Sequence, residues 1–174
     1  MKLPGFEQDL DWGKQKYINY LAVRSRLMKI LTENSIRFVL IETDSTWFRD
    51  PVDLFLNATV IDDADVVVPV KGLTHMGDRL AFSPMLVEPT NASIVLFEEM
   101  NKRLGGNDSL YDQDVLNELC STQYHGIVCR NFEYNEIADG KWWAMNGLWF
   151  MSKKGHCSKE KVQRAQNKFF FGVT

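Results

Sequence analysis

The chain has 174 residues, 45% hydrophobic and 25% charged, with a formal net charge of -3. This balance describes a globular domain with enough length for one core, and it excludes a disordered tail. The acidic sign excludes a basic field for nucleic acid, and no apolar run reaches the roughly 20 residues that span a bilayer.

The N-terminal stretch from Met1 to Glu7 lacks an apolar signal-peptide core. Any membrane association is therefore expected to run through an anchor not present in this chain. Trp12 to Asn34 reads as a long helix, with Ile18, Leu21, Ala22, Leu27, Ile30 and Leu31 at near-helical spacing and Lys and Arg between them. Asn34 and Ser35 stop it. Ile36 to Ile41 is short, apolar and β-rich, and reads as a buried strand. It runs into Glu42-Thr-Asp44-Ser-Thr-Trp47, and Asp50-Pro51 marks a turn.

Further along, Ala64 to Val70 reads as a second strand and Leu80 to Val87 as a third. Helices are expected from Ala92 to Leu104 and from Tyr111 to Leu119, the latter with Asp112 as a capping residue near its start. Gly126 to Cys129 is a strand candidate, and Lys159 to Lys168 reads as a final basic helix. Strands alternating with helices predict one α/β domain over residues 1–174.

Three cysteines, Cys120, Cys129 and Cys157, match no zinc template. Cys120 and Cys129 could close a short disulfide loop, or they could be small buried thiols. Three glycosylation sequons begin at Asn57, Asn91 and Asn107, and all three read as loop sites, which favours a lumenal or extracellular setting. His75, His125 and His156 are scattered, with no spacing for a metal-histidine site. Trp142 and Trp143 read as core aromatics, and Phe169 to Phe171 as a packed terminal segment.

The chemistry concentrates where the first strand ends. Ligands of open α/β sheets gather beyond the carboxyl ends of strands. In an extended segment, residues two apart point the same way, so Glu42 and Asp44 are expected to converge on one hard cation. The bland alternative is a pair of solvated acids at a strand end.

The run from Phe38 to Pro51 resembles the signature of the nucleotide-diphospho-sugar transferase family, which includes plant arabinosyl- and xylosyltransferases. The shared pattern is an apolar strand, an acid-x-acid motif, two further residues, a Trp and a short step to Asp-Pro. Downstream, Ala64 to Val68, Val87-Glu-Pro-Thr90 with the helix after it, and Tyr111-Asp112-Gln113-Asp114-Val-Leu-Asn117 resemble the family's later segments in order. The resemblance implies a GT-A-type, Rossmann-like three-layer sandwich with a mixed, mostly parallel sheet. It also implies a glycosyltransferase in the Golgi or secretory-pathway lumen. Its partners would be a UDP- or GDP-sugar donor and a glycan or glycoprotein acceptor, and its cofactor Mn²⁺ or Mg²⁺.

Residue by residue, the resemblance makes Asp44 the main metal ligand and places Glu42 on the ribose or metal. It places Asp112 and Gln113 near the sugar or acceptor, as catalytic residues. Lys161 and Arg164, three apart on one helix face, would contact the donor diphosphate; a solvated basic face is the alternative.

Three departures stand out. Glu42 replaces the family's usual Asp. The stretch Leu80-Ala-Phe-Ser83-Pro lacks the family's glycine. The family's first strand, which holds the nucleotide base, would precede Met1, so the resemblance implies a fold incomplete at the N-terminus and donor binding by this chain alone that is weak or absent. Two rivals follow: a glycosyltransferase-like binding module without turnover, and a haloacid-dehalogenase-like phosphatase. The phosphatase requires an Asp nucleophile where Glu42 stands.

Overall fold

The computed structural model describes residues 14–43, 45, 47, 50–56, 63–74, 77–106, 110–132 and 137. In chain order these form α1 (Gln15–Glu33), β1 (Phe38–Leu40), α2 (Val52–Leu56), β2 (Val66–Thr74), β3 (Gly77–Leu80), β4 (Met85–Val87), α3 (Asn91–Gly106), α4 (Asp112–Ser121), a 3-10 turn (Tyr124–Gly126) and β5 (Cys129–Phe132). Five strands make one mixed sheet in the order β1-β4-β2-β3, with β5 also paired to β2. The chain is α/β, with helices flanking a sheet of parallel and antiparallel strands.

β2 and β3 are antiparallel, pairing Val70 with Leu80 and Thr74 with Gly77. β4 also runs against its neighbour β1. Arg37 just before β1 bonds Glu88 just after β4, while Glu42 just after β1 bonds Ser83 just before β4. Consecutive residues Val66, Val67 and Val68 of β2 are all buried, as are Met85, Leu86 and Val87 of β4. Successive strand side chains face opposite sides, so both faces of the sheet are covered at these strands, as an α/β sandwich requires.

The chain divides into two compact units, each assembled from several stretches of sequence. The first holds the long helices. α1 packs against α3 and α4, burying Ile18, Leu21, Ser25, Met28 and Thr32 along one stripe. That stripe corrects the expected one: Leu27 and Ile30 are each 54% exposed, while Arg24, Ser25 and Thr32 are buried. The steps of three and four residues from Ile18 to Thr32 fit one helix face better than the apolar residues alone did. The Thr32 hydroxyl is satisfied within the helix, donating to the Met28 carbonyl at 3.1 Å and the Lys29 carbonyl at 2.8 Å.

α3 starts with a reciprocal cap. The Thr90 hydroxyl accepts from the Ser93 N–H at 3.1 Å, and the Ser93 hydroxyl accepts from the Thr90 N–H at 2.9 Å. The sequon at Asn91 therefore heads a helix and is not in a loop. The sequons at Asn57 and Asn107 lie outside the described residues. Cys120 at the end of α4 and Cys129 at the start of β5 form a disulfide. The loop between them carries Gln123, His125 and Gly126 with positive φ, the last at 80°, where glycine fits without strain.

In the second unit, Phe55 of α2 stacks edge-on with Trp47 at 5.8 Å and with Phe132 of β5 at 5.9 Å between ring centroids. α2 arises at Asp50-Pro51, read above only as a turn. Asp50 Oδ1 accepts from the Val52 N–H at 3.0 Å, and Pro51 stands where a helix needs no N–H.

Two strand assignments need correction. Leu80 to Val87 is not one strand: β3 ends at Leu80 and β4 starts at Met85, with a cis Ser83-Pro84 bond between them. Proline donates no N–H to a ladder, which breaks the run. The strand expected over Gly126–Cys129 begins only at Cys129, because Tyr124–Gly126 turns as a 3-10 helix. The helix expected over 159–168, and the segments around Trp142 and Phe169, lie outside the described residues.

Candidate functional site

Glu42 stands two residues past the end of β1, half-buried. Its backbone N–H donates to the Ser83 hydroxyl at 2.9 Å, and its carbonyl accepts from the Ser45 N–H at 3.1 Å. The second bond closes a turn in which Thr43 sits. A three-residue strand ends too early to carry strand alternation into the acidic motif.

Asp44, Lys161 and Arg164 lie outside the described residues. Among the described residues, no cluster of three or more His, Cys, Asp or Glu could hold a metal. Glu42 offers a hard carboxylate oxygen, the donor type that Mg²⁺ and Mn²⁺ take.

Sequence reasoning missed Ser83. It lies 41 residues from Glu42, and a Ser-Pro pair before a strand is an ordinary turn signal. The antiparallel pairing of β1 with β4 brings the two together. Trp47, two residues past Ser45, anchors the segment after the motif on Phe55.

Asp112 and Gln113 open α4 in the other unit. Tyr111 takes the N-cap position without a side-chain cap bond. Asp112 is therefore the first residue of the helix and not its cap, and its Oδ1 accepts from the Gln113 N–H at 2.8 Å. Its Oδ2 accepts from Arg24 Nε at 3.0 Å and also from Arg24 Nη2. Both residues are buried, Asp112 at 3% exposure and Arg24 at 8%. The Arg24 guanidinium also lies over the Tyr20 ring, 5.7 Å from its centroid. Gln113 is half-buried, and its carbonyl accepts from Asn117 Nδ2 at 2.7 Å.

Glu42 thus follows the carboxyl end of β1, and the Asp-Gln-x-x-x-Asn segment opens α4. A family model for nucleotide-diphospho-sugar transferases matches residues 3–170, nearly the whole chain. The chain belongs to the nucleotide-diphospho-sugar transferase family. Neither the curated proteins nor the solved structures gave a match. Membership implies a nucleotide-sugar donor and glycosyl-transfer chemistry. No described helix is long and apolar enough to cross a membrane.

Proposed function

We propose that this chain is a glycosyltransferase domain. It transfers a sugar from a nucleotide-diphosphate donor to a glycan or glycoprotein acceptor, with a divalent cation at Glu42 and Asp44. The observation that carries this reading is the position of Glu42. It follows the carboxyl end of β1, its N–H tied by Ser83, in a chain whose family uses nucleotide sugars. Mn²⁺ or Mg²⁺ held there would offset the charge of the diphosphate leaving group. Glu42 and Asp44 supply the oxygen ligands, and Lys161 and Arg164 bind the diphosphate oxygens. Gln113 contacts the transferred sugar or the acceptor.

A lumenal site of action, in the Golgi or elsewhere in the secretory pathway, is part of the proposal. The Cys120–Cys129 disulfide and the exposed Asn91 sequon support it, since disulfides persist in oxidising compartments.

Calorimetry of the purified chain with UDP- and GDP-sugars, with and without Mn²⁺, tests the reading. Metal-dependent binding that disappears in Asp44→Ala is the expected result. A folded chain that binds no nucleotide sugar under any condition would refute it. A glutamate in place of the family's usual first aspartate favours a second reading, a binding module without turnover. That module would keep its glycan partner in Asp44→Ala.

A further inference from the structure

We infer that Arg24 is a positioning residue for transfer, acting through Asp112 to fix the backbone of Gln113. This rests on the reading above, in which Gln113 meets the sugar or acceptor.

The hydrogen bonds divide the Asp-Gln-x-x-x-Asn segment into two holders and one held residue. Asp112 Oδ1 takes the Gln113 N–H, and Asn117 Nδ2 takes the Gln113 carbonyl. Both polar groups of the Gln113 backbone are thus engaged by the other two residues of the motif. Asp112 is held in turn. Its remaining oxygen receives two donors from the Arg24 fork, and the Tyr20 ring lies against the guanidinium.

A carboxylate so buried, with both oxygens bonded, is poorly placed to shuttle protons or meet a sugar, and well placed to hold its neighbour. Asp112, expected from the resemblance to be catalytic, then serves to hold its neighbour, and Gln113 is the contact residue. Arg24 belongs to α1, 88 residues away in sequence, so this pair ties α1 to the start of α4.

Lysine keeps the charge but not the planar fork, so Arg24→Lys separates electrostatics from geometry. The test uses the full chain and the donor selected by the calorimetric panel, following release of nucleoside diphosphate. In Arg24→Lys, kcat should fall about 10- to 100-fold, the cost of a displacement near 1 Å. Donor KM should change little, and circular dichroism should remain that of the parent. The double variant Arg24→Lys/Gln113→Ala should be no slower than Gln113→Ala alone, because Arg24 acts through Gln113.

Unchanged kcat in folded Arg24→Lys would overturn the inference, and so would losses that multiply in the double variant. Should Arg24→Lys not fold, Asp112→Asn reads the same coupling, since it keeps an oxygen for the Gln113 N–H and loses the charge. A parent chain that neither binds nor cleaves any nucleotide sugar sinks the transferase reading, and this inference with it. A parent that turns over normally while the variants match it sinks this inference alone.

Discussion

The carboxylate of Asp65 joins three segments. Oδ1 accepts from the Thr90 hydroxyl and Oδ2 from the Val128 N–H at 2.8 Å, while the backbone N–H of Asp65 donates to the Val128 carbonyl at 2.9 Å. Thr90 caps α3 and Val128 precedes β5, so one side chain ties the start of β2 to both. Replacing Asp65 by alanine removes two hydrogen bonds to a carboxylate, one from the half-buried Thr90 hydroxyl and one from the exposed Val128 N–H, a loss of about 1 kcal/mol or somewhat more. Urea unfolding of Asp65→Ala against the parent measures this; a difference near zero would mean water replaces the carboxylate. Nothing in the sequence marks Asp65, which reads there as one polar residue inside a strand. Arg24 is likewise hidden: within α1 it looks like a solvated cation, and its buried ion-pair partner Asp112 lies far along the chain. Glu42, in contrast, was legible, because an acidic residue just past an apolar β-rich run needs only local pattern.

Helices α3 and α4 are bridged by Arg103, whose Nε donates to Glu99 at 2.7 Å and whose Nη1 donates to Glu118 at 2.8 Å. The hydrogen bond from Arg103 holds the Glu99 carboxyl below its ordinary value of 4.5. A lowered folded-state value means the bridge stabilises the protein fully above 4.5. That contribution is lost as pH falls through the lowered value. Thermal melts of the parent and Glu99→Gln should therefore differ at pH 7, draw closer below pH 4.5 and converge only below the lowered value. A gap that stays constant with pH would show that the charge on Glu99 contributes nothing. Both side chains are half-buried at the surface, where solvent still screens the bridge, so the difference should be small.

Periodicity located α1, α3 and α4 to within a few residues, because long amphipathic segments announce themselves. It misassigned the short elements. The five residues of α2 are too few for a periodic signal, and β3 and β4 read as one run because apolar residues flank Ser83-Pro84 on both sides. β5 carries exposed Arg130 and Asn131, so it has no continuous apolar run to find.

Neither compact unit is a continuous piece of chain. The first takes residues 1–38, 63–66 and 87–129, the second the rest. No single cut in the sequence can release one unit intact, which argues for studying the whole chain. The Cys120–Cys129 bond closes a loop nine residues apart in the first unit. Restricting so short a loop in the unfolded chain is worth about 2–3 kcal/mol. A reductant, or Cys120→Ser with Cys129→Ser, should lower the melting temperature accordingly; identical melts would show the bond is not formed in solution. The α/β class and the family were readable from the ordered motifs. The pairing of β1 with β4, which places Ser83 beside Glu42, was not, since strand order depends on contacts that no local window contains.

Trp47 packs on Phe55 two residues beyond the turn that begins at Glu42. Its indole is half-buried, and so sensitive to what happens around it. The chain has five tryptophans, and a variant that keeps only this one would carry its own optical gauge beside the acidic motif. Quenching or a shift in emission would then register ligand arrival at that strand end directly, with no label attached.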